Sequence, residues 1–347
     1  MLRAEHMNAS QLRALFSQLV VAAIAPASTL SCGGIALTEN PPGDAGSAPD
    51  ATPHHDAGHP GTCTPVVSNA GFCGATVTFP CGVVEGPSGL ALDPATCAQV
   101  CADHSTTTNT CYVFQNVSPG GSAFVNCGPC ANGRRPAGLA PAQPSVACGD
   151  LGAWLAATSH LEAASVPAFE ELAEALAHHG APATLVARAR AAAKDEVRHA
   201  RVTGDLARRR GACPPPVEIR ATKRASLARL AIENAVEGCV RETYGALVAT
   251  WQAANAADPE IGAAMARIAR DETRHAALAW AIHAWAKAQL SPSERRQVER
   301  ARSAAARTLT KELATEPAEI TKREAGVPTA RVAVALARSL DRAVSAA

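Results

Sequence analysis

The second half of the chain carries apolar residues at helical spacing in four long segments, which indicates amphipathic helices. Glycine and proline interrupt the pattern between neighbouring segments, because neither residue continues a helix cheaply. The three interruptions are short, long and short, as expected for two antiparallel hairpins that pack on each other. The predicted helices cover residues 151–178, 182–210, 223–254 and 259–290. We therefore predict a helical bundle over residues 149–290. Additional C-terminal helices are expected within 291–347, roughly to Thr315 and from Pro328 onward.

The first half of the chain lacks this pattern and divides into two parts. Residues 33–61 consist mainly of Gly, Pro, Ala, Asp and His, which predicts a disordered linker. Residues 62–148 form a cysteine-rich segment, in which eight cysteines lie from Cys63 to Cys130 among short runs of Val, Thr and Phe. In a small exported segment this favours a module with four disulfides. Two other interpretations remain, since Cys127-Gly-Pro-Cys130 resembles a thioredoxin-type redox motif and paired cysteines can bind zinc.

The N-terminus predicts where the protein is located. An apolar stretch over residues 14–30 follows Arg3 and Arg13, is short for a membrane span, and is typical of an export signal. Residues 29–33 resemble a bacterial lipoprotein cleavage box with Cys32 as the lipidated residue. We expect residues 1–32 to act as an export signal for a cell-envelope protein, whose membrane contact is limited to a lipid anchor at Cys32. The 32 basic residues balance 31 acidic ones, so net charge does not favour a nucleic-acid partner.

A repeated motif on two predicted helices suggests metal ligands. Asp-Glu-Val-Arg-His-Ala occupies residues 195–200, and Asp-Glu-Thr-Arg-His-Ala occupies residues 271–276. A glutamate and a histidine three residues apart lie on one face of a helix, where both can reach a single metal ion. The two copies imply two half-sites, formed by Glu196 with His199 and by Glu272 with His275.

Two further carboxylates follow from the geometry of a hairpin, in which residues at one level are equidistant from the turn. Counting back 34 positions from the first motif glutamate (196 minus 162) reaches Glu162. Counting back 35 positions from the second (272 minus 237) reaches Glu237. Its neighbours Glu233 and Glu242 fit this spacing less well, at 39 and 30 positions, and are kept as candidate additional ligands.

The charge of this set favours a pair of cations. Four carboxylates cannot be buried in an apolar bundle without counter-ions, and two divalent ions balance them when both imidazoles are neutral. Oxygen-rich ligation with one imidazole per ion suits iron or manganese better than structural zinc. The predicted ligands of two iron or manganese ions are Glu162, Glu196, His199, Glu237, Glu272 and His275.

The ligand order Glu, Glu-x-x-His, Glu, Glu-x-x-His over about residues 150–290 resembles the ferritin-like superfamily of di-iron carboxylate proteins, which includes ferritins, rubrerythrins and bacterial multicomponent oxygenases. The phrases LEAASVPAF, DEVRHAR, ENAVEGCVRET and DETRHAALAW are similar to uncharacterised exported or lipoprotein-type ferritin-like proteins from myxobacteria. The resemblance implies an all-α, ferritin-like four-helix bundle with a di-iron centre. It also implies an oxidoreductase that reacts with oxygen or peroxide to oxidise ferrous ions or a small substrate, with an unidentified electron donor.

The resemblance further implies roles for the aspartates that precede the motif glutamates. In such sites each aspartate hydrogen-bonds the ligand histidine of the other hairpin, which pairs Asp195 with His275 and Asp271 with His199. The alternative for both aspartates is a surface ion pair with Arg198 or Arg274.

A second function remains open, in which the chain is a non-catalytic metal-binding envelope or interaction lipoprotein. In that case the cysteine module binds a surface partner and the bundle is a metal-stabilised stalk.

Tyr244 lies two turns from Glu237 and can carry a radical or a proton, although core packing is the favoured role. Cys239 is expected to be a buried thiol.

Overall fold

The structure is a computed structural model. It describes residues 7–24, 66–68, 75–79, 111–115, 123–127, 134–140, 145–147, 149–220, 225–314 and 316–345, with the backbone alone in the strands. The predicted linker, the predicted lipid anchor at Cys32 and the cysteine side chains of residues 62–148 lie outside this part of the chain. The predicted disulfides, redox motif and zinc site therefore stay predictions.

Five short strands lie within the segment predicted to be rich in disulfides. They form one sheet in the order β1-β2-β4-β3-β5, in which neighbours are antiparallel except for the parallel pair β3 and β5. The runs of Val, Thr and Phe supply these strands, as expected for β-branched and aromatic residues. The strands are β1 Val66–Ser68, β2 Ala75–Phe79, β3 Cys111–Gln115, β4 Ala123–Cys127 and β5 Ser145–Val146.

Helices dominate the described residues from Asp150 onward, which confirms the all-α prediction for this part of the chain. The third predicted helix is interrupted by a π-helix, and the short helix α8 was not predicted. The helices are α1 Ala9–Ile24, α2 Asp150–His178, α3 Ala183–Arg209, α4 Leu227–Glu233, the π-helix Asn234–Glu242, α5 Thr243–Asn255, α6 Pro259–Gln289, α7 Pro292–Glu312, α8 Glu319–Ala325 and α9 Ala330–Ser345.

The long helices pack as two hairpins. Helix α2 packs along α3, the π-helix and α5 pack along α6, and α3 contacts α6 between the hairpins. The turn after α2 is closed by Gly180, which has a positive φ of 73° and precedes a hydrogen bond from the Ala181 amide to the Leu176 carbonyl. Glycine adopts this left-handed conformation without a steric penalty, so the helix ends there. At the start of α6, the Asp258 side chain accepts hydrogen bonds from the amides of Glu260 and Ile261.

Helix α1 packs on the second hairpin. Leu12, Phe16 and Val20 are buried in a core that also contains Tyr244 and Leu340. Among the described residues, no helix is both long enough and apolar enough to cross a membrane. The export signal over residues 1–32 stays a prediction.

Candidate metal centre

Three helices bring together a buried group of carboxylates and imidazoles. Glu162 comes from α2, Glu196 and His199 come from α3, and Glu272 comes from α6. One ligand atom from each of these four side chains lies within 4.8 Å of every other, and all four side chains are buried. A group of this size and composition can hold a metal ion.

The second imidazole, His275 on α6, joins the same group. Nδ1 of His275 lies 3.1 Å from Oε1 of Glu196 and 3.3 Å from Oε1 of Glu272. Nδ1 of His199 lies 3.3 Å from the same Glu272 oxygen and 3.7 Å from Oε2 of Glu196. Glu196 and Glu272 therefore lie between the two imidazoles, whose ring centroids are 6.0 Å apart. The structure brings five of the six predicted ligands together. We call these five residues the cluster, together with the buried Glu242, which lies within electrostatic range of His275, Glu272 and Glu196.

Each imidazole is oriented from outside the cluster by an aspartate of the other hairpin. Nε2 of His199 lies 3.2 Å from Oδ2 of Asp271, and Nε2 of His275 lies 3.2 Å from Oδ2 of Asp195. An Nε2–H that donates to a carboxylate leaves Nδ1 free to bind a cation. These two pairs are the ones that the resemblance implied.

The same aspartates also form the surface ion pairs that were considered as an alternative. Arg274 contacts Asp195 at 3.0 Å and Asp271 at 2.8 Å, and Arg198 contacts Asp195. Burial opposes ionisation of Asp195, but His275 and the two arginines outweigh it and lower its pKa to about 2. Both aspartates are therefore held as anions between an imidazole and surface cations.

Many polar atoms of the cluster have no hydrogen-bond partner. Buried carboxylate oxygens and imidazole nitrogens are normally hydrogen-bonded, because burying them without a partner costs free energy. A bound cation would satisfy these atoms, so the donor set fits a metal. The unpartnered atoms are Oε2 of Glu162, Nδ1 of His199 and of His275, and both carboxylate oxygens of Glu196, Glu242 and Glu272.

The pKa values of the cluster describe how the metal-free protein balances its charge. Burial, followed by the charge of Glu196, raises the pKa of Glu162 well above its ordinary value. Burial also opposes ionisation of Glu196, but the adjacent imidazoles of His199 and His275 outweigh it and lower its pKa. Burial disfavours the charged form of both histidines, yet their acidic partners raise both histidine pKa values. Protons on Glu162 and the two histidines thus offset part of the buried negative charge, and a metal ion that bound there would displace them.

The remaining predicted ligand, Glu237, lies outside the cluster. Its Oε2 accepts a hydrogen bond from the Arg135 amide at 3.3 Å, and its Oε1 lies 3.8 Å from Nε of Arg241. The glutamate of this helix that lies within electrostatic range of His275, Glu272 and Glu196 is Glu242, which is only 1% exposed. Burial, opposed first by Arg134, raises the pKa of Glu242 to about 8, and the nearby charges of Glu272 and Glu196 contribute to this rise.

The position of the turn explains why residue counting selected Glu237. The count placed the turn near Asn255, whereas the break between α5 and α6 is centred on Ala257, and Glu242 and Glu272 each lie 15 positions from that residue (257 minus 242, 272 minus 257). The π-helix lies beyond Glu242 as counted from this turn: the Thr243 amide donates to the Gly238 carbonyl, five residues back, where an α-helix would use the residue four back. Glu242 was retained from the sequence as a candidate additional ligand. The other such candidate, Glu233, is partly exposed and lies within electrostatic range of Glu171.

Two other residues considered from the sequence pack in the core. Tyr244 is 1% exposed, and its hydroxyl donates to the Ala333 carbonyl at 3.5 Å. Cys239 is buried, and its thiol lies 3.6 Å from the Ala279 carbonyl. Burial raises the pKa of both groups. These contacts agree with packing roles for both residues.

Sequence analysis missed one residue beside the cluster. Arg134 precedes the bundle and is 1% exposed, and its Nη1 lies 4.0 Å from Oε2 of Glu242. Its guanidinium carbon lies 6.0 Å from the centre of the Phe169 ring, which is 5.0 Å from the His275 ring. No local pattern marks this arginine, because it belongs to a segment that contains no ligand motif.

Comparison with protein-family models, curated proteins and solved structures returned no match to this chain. The case for its function therefore depends on the geometry of the cluster.

Proposed function

We propose that this chain is a two-metal carboxylate protein with a ferritin-like four-helix bundle, in which iron or manganese ions bind at the cluster. The observation that carries the proposal is the concentration of unpartnered, buried ligand atoms at one level of the bundle. Glu242 takes the role that was predicted for Glu237. The proposed ligands are Glu162, Glu196, His199, Glu242, Glu272 and His275.

The charge of the cluster supports a pair of divalent ions. Four buried carboxylates carry four negative charges, and separating them from water without counter-ions would cost several kcal/mol for each group. Two divalent ions balance those charges while both imidazoles remain neutral. Six ligands that comprise four carboxylates and two imidazoles suit iron or manganese, since structural zinc favours thiolates and imidazoles in a closed tetrahedron.

The residues around the cluster support redox chemistry. Two bound iron or manganese ions would supply electrons to oxygen or peroxide and, in turn, oxidise ferrous ions or a small organic substrate. Asp195 and Asp271 hold the two imidazoles with Nδ1 toward the ions. Phe169 covers one side of His275, and the buried surroundings exclude bulk water from the ligand atoms.

An oxidation assay tests this proposal. Protein loaded anaerobically with ferrous ions is mixed with oxygen or hydrogen peroxide, while absorbance and oxidant consumption are followed together. We expect the wild type to consume oxidant faster than a Glu196→Ala variant, and an exposed-site control, Glu260→Ala, to match the wild type. Equal consumption by the wild type and Glu196→Ala would exclude redox catalysis. If chelation then only lowered the melting temperature, the non-catalytic metal-binding function would be favoured.

A further inference from the structure

Arg134, the buried arginine beside the cluster, belongs to a segment outside the ligand helices. Residues 134–140 are fixed to the bundle by backbone hydrogen bonds, from the Ala140 amide to the Glu218 carbonyl at 2.9 Å and from the Arg220 amide to the Gly138 carbonyl at 2.8 Å. The residue after Arg134, Arg135, donates a hydrogen bond from its backbone amide to the Glu237 side chain. These contacts hold Arg134 in a defined place beside the π-helix.

The π-helix provides the space and the contacts for this guanidinium. Nη1 of Arg134 lies 3.5 Å from Oδ1 of Asn234, whose own amide nitrogen donates to the Ala279 carbonyl at 2.9 Å. A Cβ atom added at Gly238 would lie 3.2 Å from Nη1 of Arg134. Nε and Nη2 of Arg134 have no hydrogen-bond partner. The arginine is thus enclosed and only loosely paired, with Glu242 as the nearest anion of the cluster.

The distance between the Arg134 guanidinium and the Glu242 carboxylate matters for metal binding. At 4.0 Å, Nη1 of Arg134 attracts the Glu242 carboxylate without forming a hydrogen bond that would hold it. Buried charges at such short range interact strongly, because little water screens them. Glu242 can therefore be drawn toward the guanidinium or toward a metal ion.

The ligand atoms divide into two sets that differ in their distance from Arg134. Glu162, Glu196, His199 and Glu272 form one compact set that does not require Glu242. A second cation would take its ligands from His275, which contacts Glu196 and Glu272, and from Glu242, which lies within electrostatic range of all three. Arg134 lies beside Glu242, so its charge acts mainly on the second position.

We propose that Arg134 is a positioning residue that competes with the second cation for Glu242, so that the two cation positions fill in separate steps. This inference rests on the proposed two-metal function. The four carboxylates and Arg134 carry a net charge of about −3, so one divalent ion leaves about −1 and a second leaves about +1. The second ion is therefore bound more weakly than the first. Removal of the guanidinium therefore makes binding of the second ion more favourable.

Titration of the full chain with Mn²⁺ tests this inference. Free Mn²⁺ is measured for the wild type, Arg134→Gln and Arg134→Lys. The control is Arg241→Gln, which removes another buried arginine whose partners, Glu312 and Glu237, lie outside the cluster. We expect two resolved steps in the wild type and in Arg134→Lys. Arg134→Gln should raise the affinity of the second step about tenfold or more, with little change in the first.

The outcomes separate this inference from the function on which it rests. Two Mn²⁺ ions bound by the wild type, with an unchanged or weakened second step in Arg134→Gln, would overturn the role of Arg134 alone. No Mn²⁺ binding by the wild type would overturn the two-metal function as well. If the Arg134→Gln variant does not fold without metal, its folding is measured while the Mn²⁺ concentration is increased. Folding coupled to the uptake of two ions in one step supports the inference, and folding with a single ion contradicts it.

Discussion

Oδ2 of Asp195 lies 3.2 Å from Nε2 of His275, across the interface between α3 and α6. The other nitrogen of the same imidazole lies 3.1 Å from Glu196, the residue that follows Asp195 in the chain. Two consecutive acidic residues of one helix thus contact opposite sides of one histidine. This arrangement fixes the ring of His275 and connects the cluster to the exposed cations Arg198 and Arg274.

Replacing Asp195 should weaken metal binding. In Asp195→Ala, Nε2 of His275 loses its acceptor and the ring loses its fixed orientation, so affinity should fall about 10–100-fold. Competition with a chelator of known affinity measures this loss. Asp205→Ala removes an aspartate of the same helix that pairs with the exposed Arg208, and it should bind as the wild type does. Equal affinities in all three proteins would contradict the assigned role.

Two glutamates of the third bundle helix, Glu242 and Glu237, should differ in their effect on metal content. Glu242→Gln removes a buried carboxylate that has no hydrogen-bond partner and faces the cluster, so the variant should lose the second ion. Glu237→Gln changes a residue that contacts Arg135 and Arg241, so it should keep both ions. Elemental analysis of the two variants checks this. The reverse pattern would show that Glu237, and not Glu242, is the ligand from this helix.

The metal-free protein should lose stability as pH rises through the neutral range. Burial raises the pKa of Glu242 from 4.5 to about 8, so the folded state binds more protons than the unfolded state within that window. The contribution of Glu242 to stability is therefore full below about pH 4.5 and is lost as pH rises through about 8. The raised pKa values of Glu162, His199 and His275 act in the same direction.

Urea unfolding of the metal-free protein at about pH 5.5 and about pH 8 measures this dependence. The fall in free energy of unfolding should be smaller in Glu242→Gln, which removes one of the titrating groups. A wild-type stability that rises over this interval would show that the cluster is not buried in its metal-free form.

Gly238 should be required for close packing between the π-helix and α6. A Cβ atom at this position would lie 2.6 Å from Cβ of Ala279 and 2.9 Å from Oδ1 of Asn234. Gly238→Ala should therefore lower the free energy of unfolding by about 1–3 kcal/mol. At Gly262 the nearest atom would be 3.7 Å away, so Gly262→Ala should stabilise its helix by about 0.5–1 kcal/mol. Thermal or urea unfolding of both variants decides whether the two helices approach this closely.

Helix α1 should stabilise the bundle in any form of the protein that retains it. Phe16 is fully buried in the core with Tyr244, so Phe16→Ala should lower the free energy of unfolding by about 3–5 kcal/mol. Val21 is 67% exposed, and Val21→Ala should change the free energy of unfolding by about 0.5 kcal/mol or less. If Phe16→Ala is neutral in the full chain, α1 does not pack on the second hairpin. N-terminal sequencing of the protein isolated from its native cells tests separately whether residues 1–32 are removed.

The sequence predicted the parts of the site that follow α-helical periodicity. Glu and His three residues apart had to share a helix face, and the short turn near Gly180 placed Glu162 level with Glu196. The choice of Glu237 placed the turn near Asn255, whereas the break between α5 and α6 is centred two residues later, on Ala257, and this makes Glu242 level with Glu272. Arg134 could not be predicted, since its burial depends on how residues 134–140 pack against α3 and the π-helix.

Metal content tests the central claim most directly, because the proposed function and the role of Arg134 both depend on cations at the cluster. Elemental analysis of purified wild-type chain should find about two equivalents of iron or manganese. Glu162→Ala should retain clearly less, while Glu170→Ala, a change at an exposed position of the same helix, should match the wild type. A wild type that contains neither metal after anaerobic loading, or equal metal contents in all three proteins, would contradict the account.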